Sequence, residues 1–91
     1  MQKTVISREY RVFLDLLREV RANVGVTQIE LAARLEESQS FISKCERGER
    51  RLDLVETRRW CHCLDSSFPE FIRELEGRLQ KLGLSKQGKR R

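Results

Sequence analysis

Gln39, Ser40, Ser43, Lys44 and Arg47 lie within "SQSFISKCERGER" at 38–50, and on a helix they share one side. Ile42 and Cys45, interleaved with them, turn to the other side. The outward set carries the donors and acceptors that read nucleobase edges. A glutamine amide pairs bidentately with adenine, a lysine ammonium reaches guanine O6 and N7, and a serine hydroxyl serves either kind of edge. The same residue types also make an ordinary solvated helix surface, so their meaning depends on the elements that hold them. Phe41 sits at the border of the two sides and is expected at the rim of the core.

A second cluster, Cys61, His62 and Cys63, has the elements of a metal site but not the spacing. Residues two apart on a helix point about 200° away from each other, so the two thiols cannot chelate one ion. Packing as small apolar groups is the expected role, and no metal is expected. Cys45 makes the cysteine number odd, which does not suit a disulfide scaffold. The single histidine has no carboxylate pair to work with and there is no Gly-rich phosphate loop. Neither an enzyme nor a cofactor is expected.

These side chains belong to a chain of 91 residues, 38% apolar and 36% charged, with one proline, which suits one small helical domain with a modest core. The net charge of +5 is not spread evenly. Lys81, Lys86, Lys89, Arg90 and Arg91 carry five of the 19 basic groups, leaving 14 against 14 acidic ones in the first 80 residues. Charge placement, rather than bulk basicity, must therefore carry any affinity for nucleic acid. No apolar run approaches the roughly 20 residues of a membrane span, and "MQKTVISREY" lacks a signal-like apolar stretch. The expected location is the cytoplasm, with no membrane partner. Residues 1–83 are read as the folded domain and 84–91 as a basic, disordered tail.

Periodicity and capping signals place five helices and no strand, an all-α fold. Ser7 opens a first helix whose stripe is Phe13, Leu16, Leu17, Val20 and Val24, and Gly25 closes it. Thr27 with Glu30 forms a capping box for a second helix, and Val26 can staple onto Leu31. Leu31, Ala32 and Leu35 face inward; Ala32 lets another helix approach closely. Ser38 caps the third helix and Gly48 ends it. Asp53 with Glu56 and Ser67 with Glu70 predict two further capping boxes, with Pro69 in the first turn of the last helix.

Two short helices joined by a three-residue turn hold one helix by its back and leave its front free for a major groove about 12 Å wide. The chain resembles the lambda-repressor and Cro family, also called the XRE family, over roughly residues 8–76. The likeness is carried by "R-x-N-x-G-x-T-Q-x-x-L-A-x-x-L" at 21–35 and "S-Q-S-x-I-S-K-x-E-R-G-E-R" at 38–50. It implies a lambda-repressor-like five-helix domain that binds double-stranded DNA, a transcriptional regulator of the repressor type. It also implies that Gln39, Ser40 and Lys44 touch bases, with Ser43 beside them. Gln28 is placed on the phosphate backbone, and Arg21 with Glu46 is implied to form an internal salt bridge. Arg47, Arg50 and Arg51 cluster past the third helix as phosphate contacts, or alternatively pair with Glu46 and Glu49 on the surface. The sequence departs from the family where Glu36 replaces the usual turn glycine, Cys45 a larger aliphatic residue, Arg58 a leucine, and Ile29 a charged residue.

In the last helix Phe68, Phe71, Ile72, Leu75, Leu79 and Leu82 recur at helical spacings, beyond what so small a core needs. The seam is read as a homodimer interface, with Trp60 contributing; the other reading is a stripe folded back on the first helix. An antitoxin or bridging-type module would use the same surface for a protein partner.

Overall fold

A computed structural model describes residues 6–83. They form α1 (Arg8–Asn23), α2 (Gln28–Leu35), α3 (Gln39–Arg47), α4 (Leu54–Cys63) and α5 (Phe68–Lys81). Among the described residues there is no strand. The basic tail at 84–91 lies outside the described residues.

Local chemistry sets each boundary. Ser7 is extended and its hydroxyl accepts from the Tyr10 amide at 3.0 Å, opening α1. Gly25, at φ +74°, turns the chain after Val24, and the Val26 amide returns to the Arg21 carbonyl. Thr27 and Glu30 then satisfy each other's amides at 3.0 and 2.9 Å, a complete capping box. α2 stops at Glu36, which takes the left-handed conformation at φ 59°. A side chain there costs roughly 1–2 kcal/mol, offset by two turn hydrogen bonds, from Glu36 to the Ala33 carbonyl and from Glu37 to that of Ala32. Asp53 and Glu56 form a second complete box.

The third box is only half made: Ser67 accepts from the Glu70 amide at 3.2 Å, while the Glu70 carboxylate pairs with Arg73 one turn on. Asp65 is a second left-handed residue, at φ 55°, of a type whose short polar side chain tolerates that conformation.

All five helices supply the core: Leu14, Leu16 and Leu17 from α1, Leu31 and Ala32 from α2, Ile42 and Cys45 from α3, Trp60 and Cys61 from α4, and Phe71 from α5. Val26 and Leu64 join them from the turns. Fully burying each of the larger side chains stabilises by roughly 1.5–3 kcal/mol. α3 is therefore gripped from behind by α1 and α2.

Three expectations are corrected here. Val24 is 46% exposed because it has become the α1 cap, and Leu14 takes the inward place instead. Trp60 is 1% exposed and so offers nothing to a second chain. Phe71, expected in the outer seam, is 4% exposed and meets the Phe13 ring edge-on at 5.9 Å.

The first half of the α5 stripe thus folds back on α1, with Phe68 and Leu75 half-buried against the core. Arg78 closes the contact, donating to Glu19 of α1 at 2.7 and 3.0 Å and to Glu74 at 2.9 Å. Leu79 stays half-buried, while Ile72 and Leu82 are 39% and 52% exposed.

Candidate nucleic-acid interface

α3 is short and its ends are pinned. The Ser38 hydroxyl accepts from the Phe41 amide at 3.0 Å, and Gly48, at φ +83°, closes the last turn. Ile42, Cys45 and Glu46 form its buried side. Gln39, Ser40, Lys44 and Arg47 are exposed on the other and Ser43 is half-buried. Phe41 packs against the core at the border.

Glu46 is 2% exposed, an expensive place for a carboxylate unless it is paired and fully hydrogen-bonded. Both conditions hold. Arg21 donates from Nε to Oε2 at 2.6 Å and from Nη2 to Oε1 at 2.9 Å, the two-pronged geometry a guanidinium suits. The shared bonds push Arg21 further above its already high ordinary value, since losing its proton would strand the carboxylate. Arg21 also donates to the Val26 carbonyl, and Arg18 to the Glu46 carbonyl at 2.7 Å. Two arginines of α1 therefore fasten α3 at one residue.

Glu46 carries a third side-chain bond. Gln28 donates from Nε2 to Glu46 Oε1 at 2.9 Å, and Gln39 donates from Nε2 to Gln28 Oε1 at 2.6 Å. Gln28 and Gln39 are each the first residue of a helix, directly after a capping Thr27 or Ser38, and that equivalence is the signal in the sequence that could have linked them. An uninterrupted chain of polar groups thus runs from α1 through the back of α3, across the start of α2, to the first outward residue of α3.

The arginines at and beyond the end of α3 are held by different partners. Arg47 grips Glu49 at 2.9 and 3.2 Å and donates to the Ser43 hydroxyl. Arg50 turns to Glu56 instead, at 2.8 and 2.9 Å, and its guanidinium lies 5.1 Å from the centre of the Phe41 ring. Glu56 sits below the usual glutamate range, first because of Arg50 and then because of the Asp53 amide. Arg51 stacks over the Tyr10 ring at 4.4 Å. Of the surface pairings expected, Arg47 with Glu49 forms; Glu46 is taken up by Arg21 and Gln28, and Arg50 pairs with Glu56.

Arg58 is exposed on α4. Cys45 and Cys61 are buried, and that burial pushes both thiols up to about 11; Cys63 is half-buried with its thiol 3.6 Å from the Arg34 carbonyl. Among the described residues no group of three or more His, Cys, Asp or Glu could hold a metal ion, and no helix is long and apolar enough to cross a membrane.

The helix-turn-helix family model matches residues 17–71, a stretch that contains α2, α3 and α4 whole. The chain belongs to the XRE-type helix-turn-helix family. Among solved structures it is similar to an XRE-family like protein from Pseudomonas syringae pv. tomato, with 44% identity and a TM-score of 0.73 over 78% of this chain and 89% of that one. It is also similar to the clp gene regulator ClgR of Corynebacterium glutamicum, with 29% identity and a TM-score of 0.70 over 80% and 95% of the two chains. No curated protein sequence matches it.

Proposed function

We propose that this protein is a cytoplasmic, sequence-specific DNA-binding transcriptional regulator, a repressor that occludes its operator by laying α3 in the major groove. The observation that carries the reading is the exposed set Gln39, Ser40 and Lys44, with Ser43 beside it, on a helix whose back is buried and fastened to α1 and α2. Family membership and the similarity to a clp gene regulator support it. Gln39, Ser40, Ser43 and Lys44 then face base edges, and Gln28 with the start of α2 faces a phosphate.

Arg47, Arg50 and Arg51 supply further phosphate contacts. Arg47 does so by exchanging Glu49 for a phosphate oxygen, a small cost because both partners are exposed. Arg50 must give up both Glu56 and Phe41, so its contact is the more expensive of the two.

Two-fold pairing through the side of α5 left uncovered, where Ile72 and Leu82 remain exposed and Leu79 half-exposed, would set two copies of α3 on half-sites about 34 Å apart. The same exposed residues would serve a protein partner if the chain is an antitoxin or bridging module. Selection of bound duplexes from random DNA, beside a mass measurement of the free protein, tests the reading. A near-palindromic consensus bound by a dimer is expected; no enriched sequence would overturn the regulator reading, and only monomer at high micromolar concentration would remove the dimer.

A further inference from the structure

Glu46 lies behind the recognition surface, and its role as a salt-bridge partner does not use its third bond, to Gln28. A carboxylate only accepts, so the group that Gln28 turns to it must be the NH2 end of the amide. The two ends of a glutamine amide look alike in shape, and here chemistry removes the choice. With Nε2 on Glu46, Gln28 shows Gln39 an oxygen, and Gln39 must answer with its own Nε2. One hydrogen of that nitrogen is spent, leaving the Gln39 oxygen and the remaining N–H for whatever lies in front of α3. An oxygen acceptor beside an N–H donor matches the N6 and N7 edge of adenine.

We propose that Glu46 is a positioning residue for base recognition: held by Arg21, it fixes the sense of the Gln28 amide, which fixes that of Gln39 and so sets a preference for adenine at the base pair Gln39 reaches. This rests on the reading of α3 as a base-reading helix. Without Glu46, the Gln28 amide turns over freely, Gln39 is offered either an oxygen or an NH2, and its two ends face the groove with similar ease. Affinity for DNA in general is then less affected than discrimination at one base pair.

The test compares base preference, as a ratio of dissociation constants for duplexes differing at one pair, in Gln39→Ala, Gln28→Met, Glu46→Gln and the exchanged pair Gln28→Glu with Glu46→Gln. Thermal melts followed by circular dichroism check that each variant folds. Gln39→Ala locates the base pair by erasing its preference. At that pair Gln28→Met and Glu46→Gln are each expected to lower discrimination roughly two- to tenfold, the range of one hydrogen bond. In the exchanged pair a glutamine at 46 can donate to a carboxylate at 28, which accepts from Gln39 as before. Discrimination should recover there, even though a new negative charge near the phosphates lowers affinity for every duplex.

Unchanged discrimination in either single variant overturns the proposal, and so does its failure to recover in the exchanged pair. Should Glu46→Gln not fold, Gln28→Met and the exchanged pair decide together: unchanged discrimination in Gln28→Met overturns the proposal, and loss there with recovery in the exchanged pair supports it. If Gln39→Ala itself leaves every preference in place, the base-reading role of α3 falls and this proposal with it. If only the relay variants leave preference unchanged, the base-reading role survives without it.

Discussion

A methyl group on Gly48 would stand 2.5 Å from Cδ1 of Ile6, and 2.9 Å from Cδ1 of Leu14. Gly48 therefore meets two demands at once, a left-handed turn at the end of α3 and close passage of the chain entering α1. Gly25 meets only the first, since nothing lies within 4 Å of its missing side chain. Gly25→Ala should cost about 1–2 kcal/mol, and Gly48→Ala about 2–4 kcal/mol because Ile6 and Leu14 must also shift. Urea unfolding midpoints of the two variants check the difference; equal losses would mean that Ile6 and Leu14 yield without cost.

The carboxylates of Glu19, Glu49 and Glu56 all sit below their ordinary value near 4.5, each chiefly through a hydrogen bond from one arginine, Arg78, Arg47 and Arg50 respectively. A carboxyl that holds its proton less tightly when folded stabilises the fold above its unfolded value and loses that contribution as pH falls through its folded one. Stability should therefore be flat through neutral pH and decline below about 4.5. Chemical unfolding at a series of pH values should show a shallower acid decline in Arg78→Ala than in the parent protein.

Cys45 and Cys61 are buried with thiols pushed up to about 11, so near pH 8 they stay protonated as well as shielded. One alkylation, at Cys63, is expected for the native protein at that pH, and three after denaturation. Mass spectrometry of the labelled chain checks this; fast native labelling of Cys45 would mean that α3 leaves its place readily.

Arg47 and Arg50 should separate on mutation. With Arg47 on a phosphate as proposed, Arg47→Ala should weaken binding to all DNA while lowering the salt slope by about one. Arg50→Ala also deprives Glu56 and Phe41 of their partner and should lower the melting temperature as well. Salt titrations of binding paired with thermal melts distinguish the two.

The helix boundaries were legible because capping is local chemistry: Ser7, Thr27, Ser38 and Asp53 each bond an amide three residues ahead. The five-helix, all-α architecture followed from those boundaries together with the apolar stripes, and its lambda-repressor-like arrangement from the resemblance carried by the motifs at 21–35 and 38–50. The family motif also made the α3 surface readable as a candidate site. Tertiary choice was harder to see. Val24 continues the α1 stripe in sequence, but as the helix cap before the turn at Gly25 it is exposed, whereas Leu14, left out of that stripe, is buried beside Gly48. Glu70 has an amide and an arginine within reach, and the arginine takes it. The spacing of the α5 stripe suited both a dimer seam and a fold back on α1, and only the packing of Phe71 on Phe13 shows which residues take the second course. The Gln28–Gln39 bond joins residues 11 apart on different helices, a relationship no periodicity reports.

The claim most exposed to test is that the outer surface of α3 reads bases rather than merely attracting phosphates. Binding of the parent protein and of Lys44→Ala to a selected duplex and to random DNA of equal length and salt measures this directly. The expected result is a loss of about 1–3 kcal/mol confined largely to the selected duplex, with preference relaxed at one base pair. Equal losses on both duplexes would contradict it.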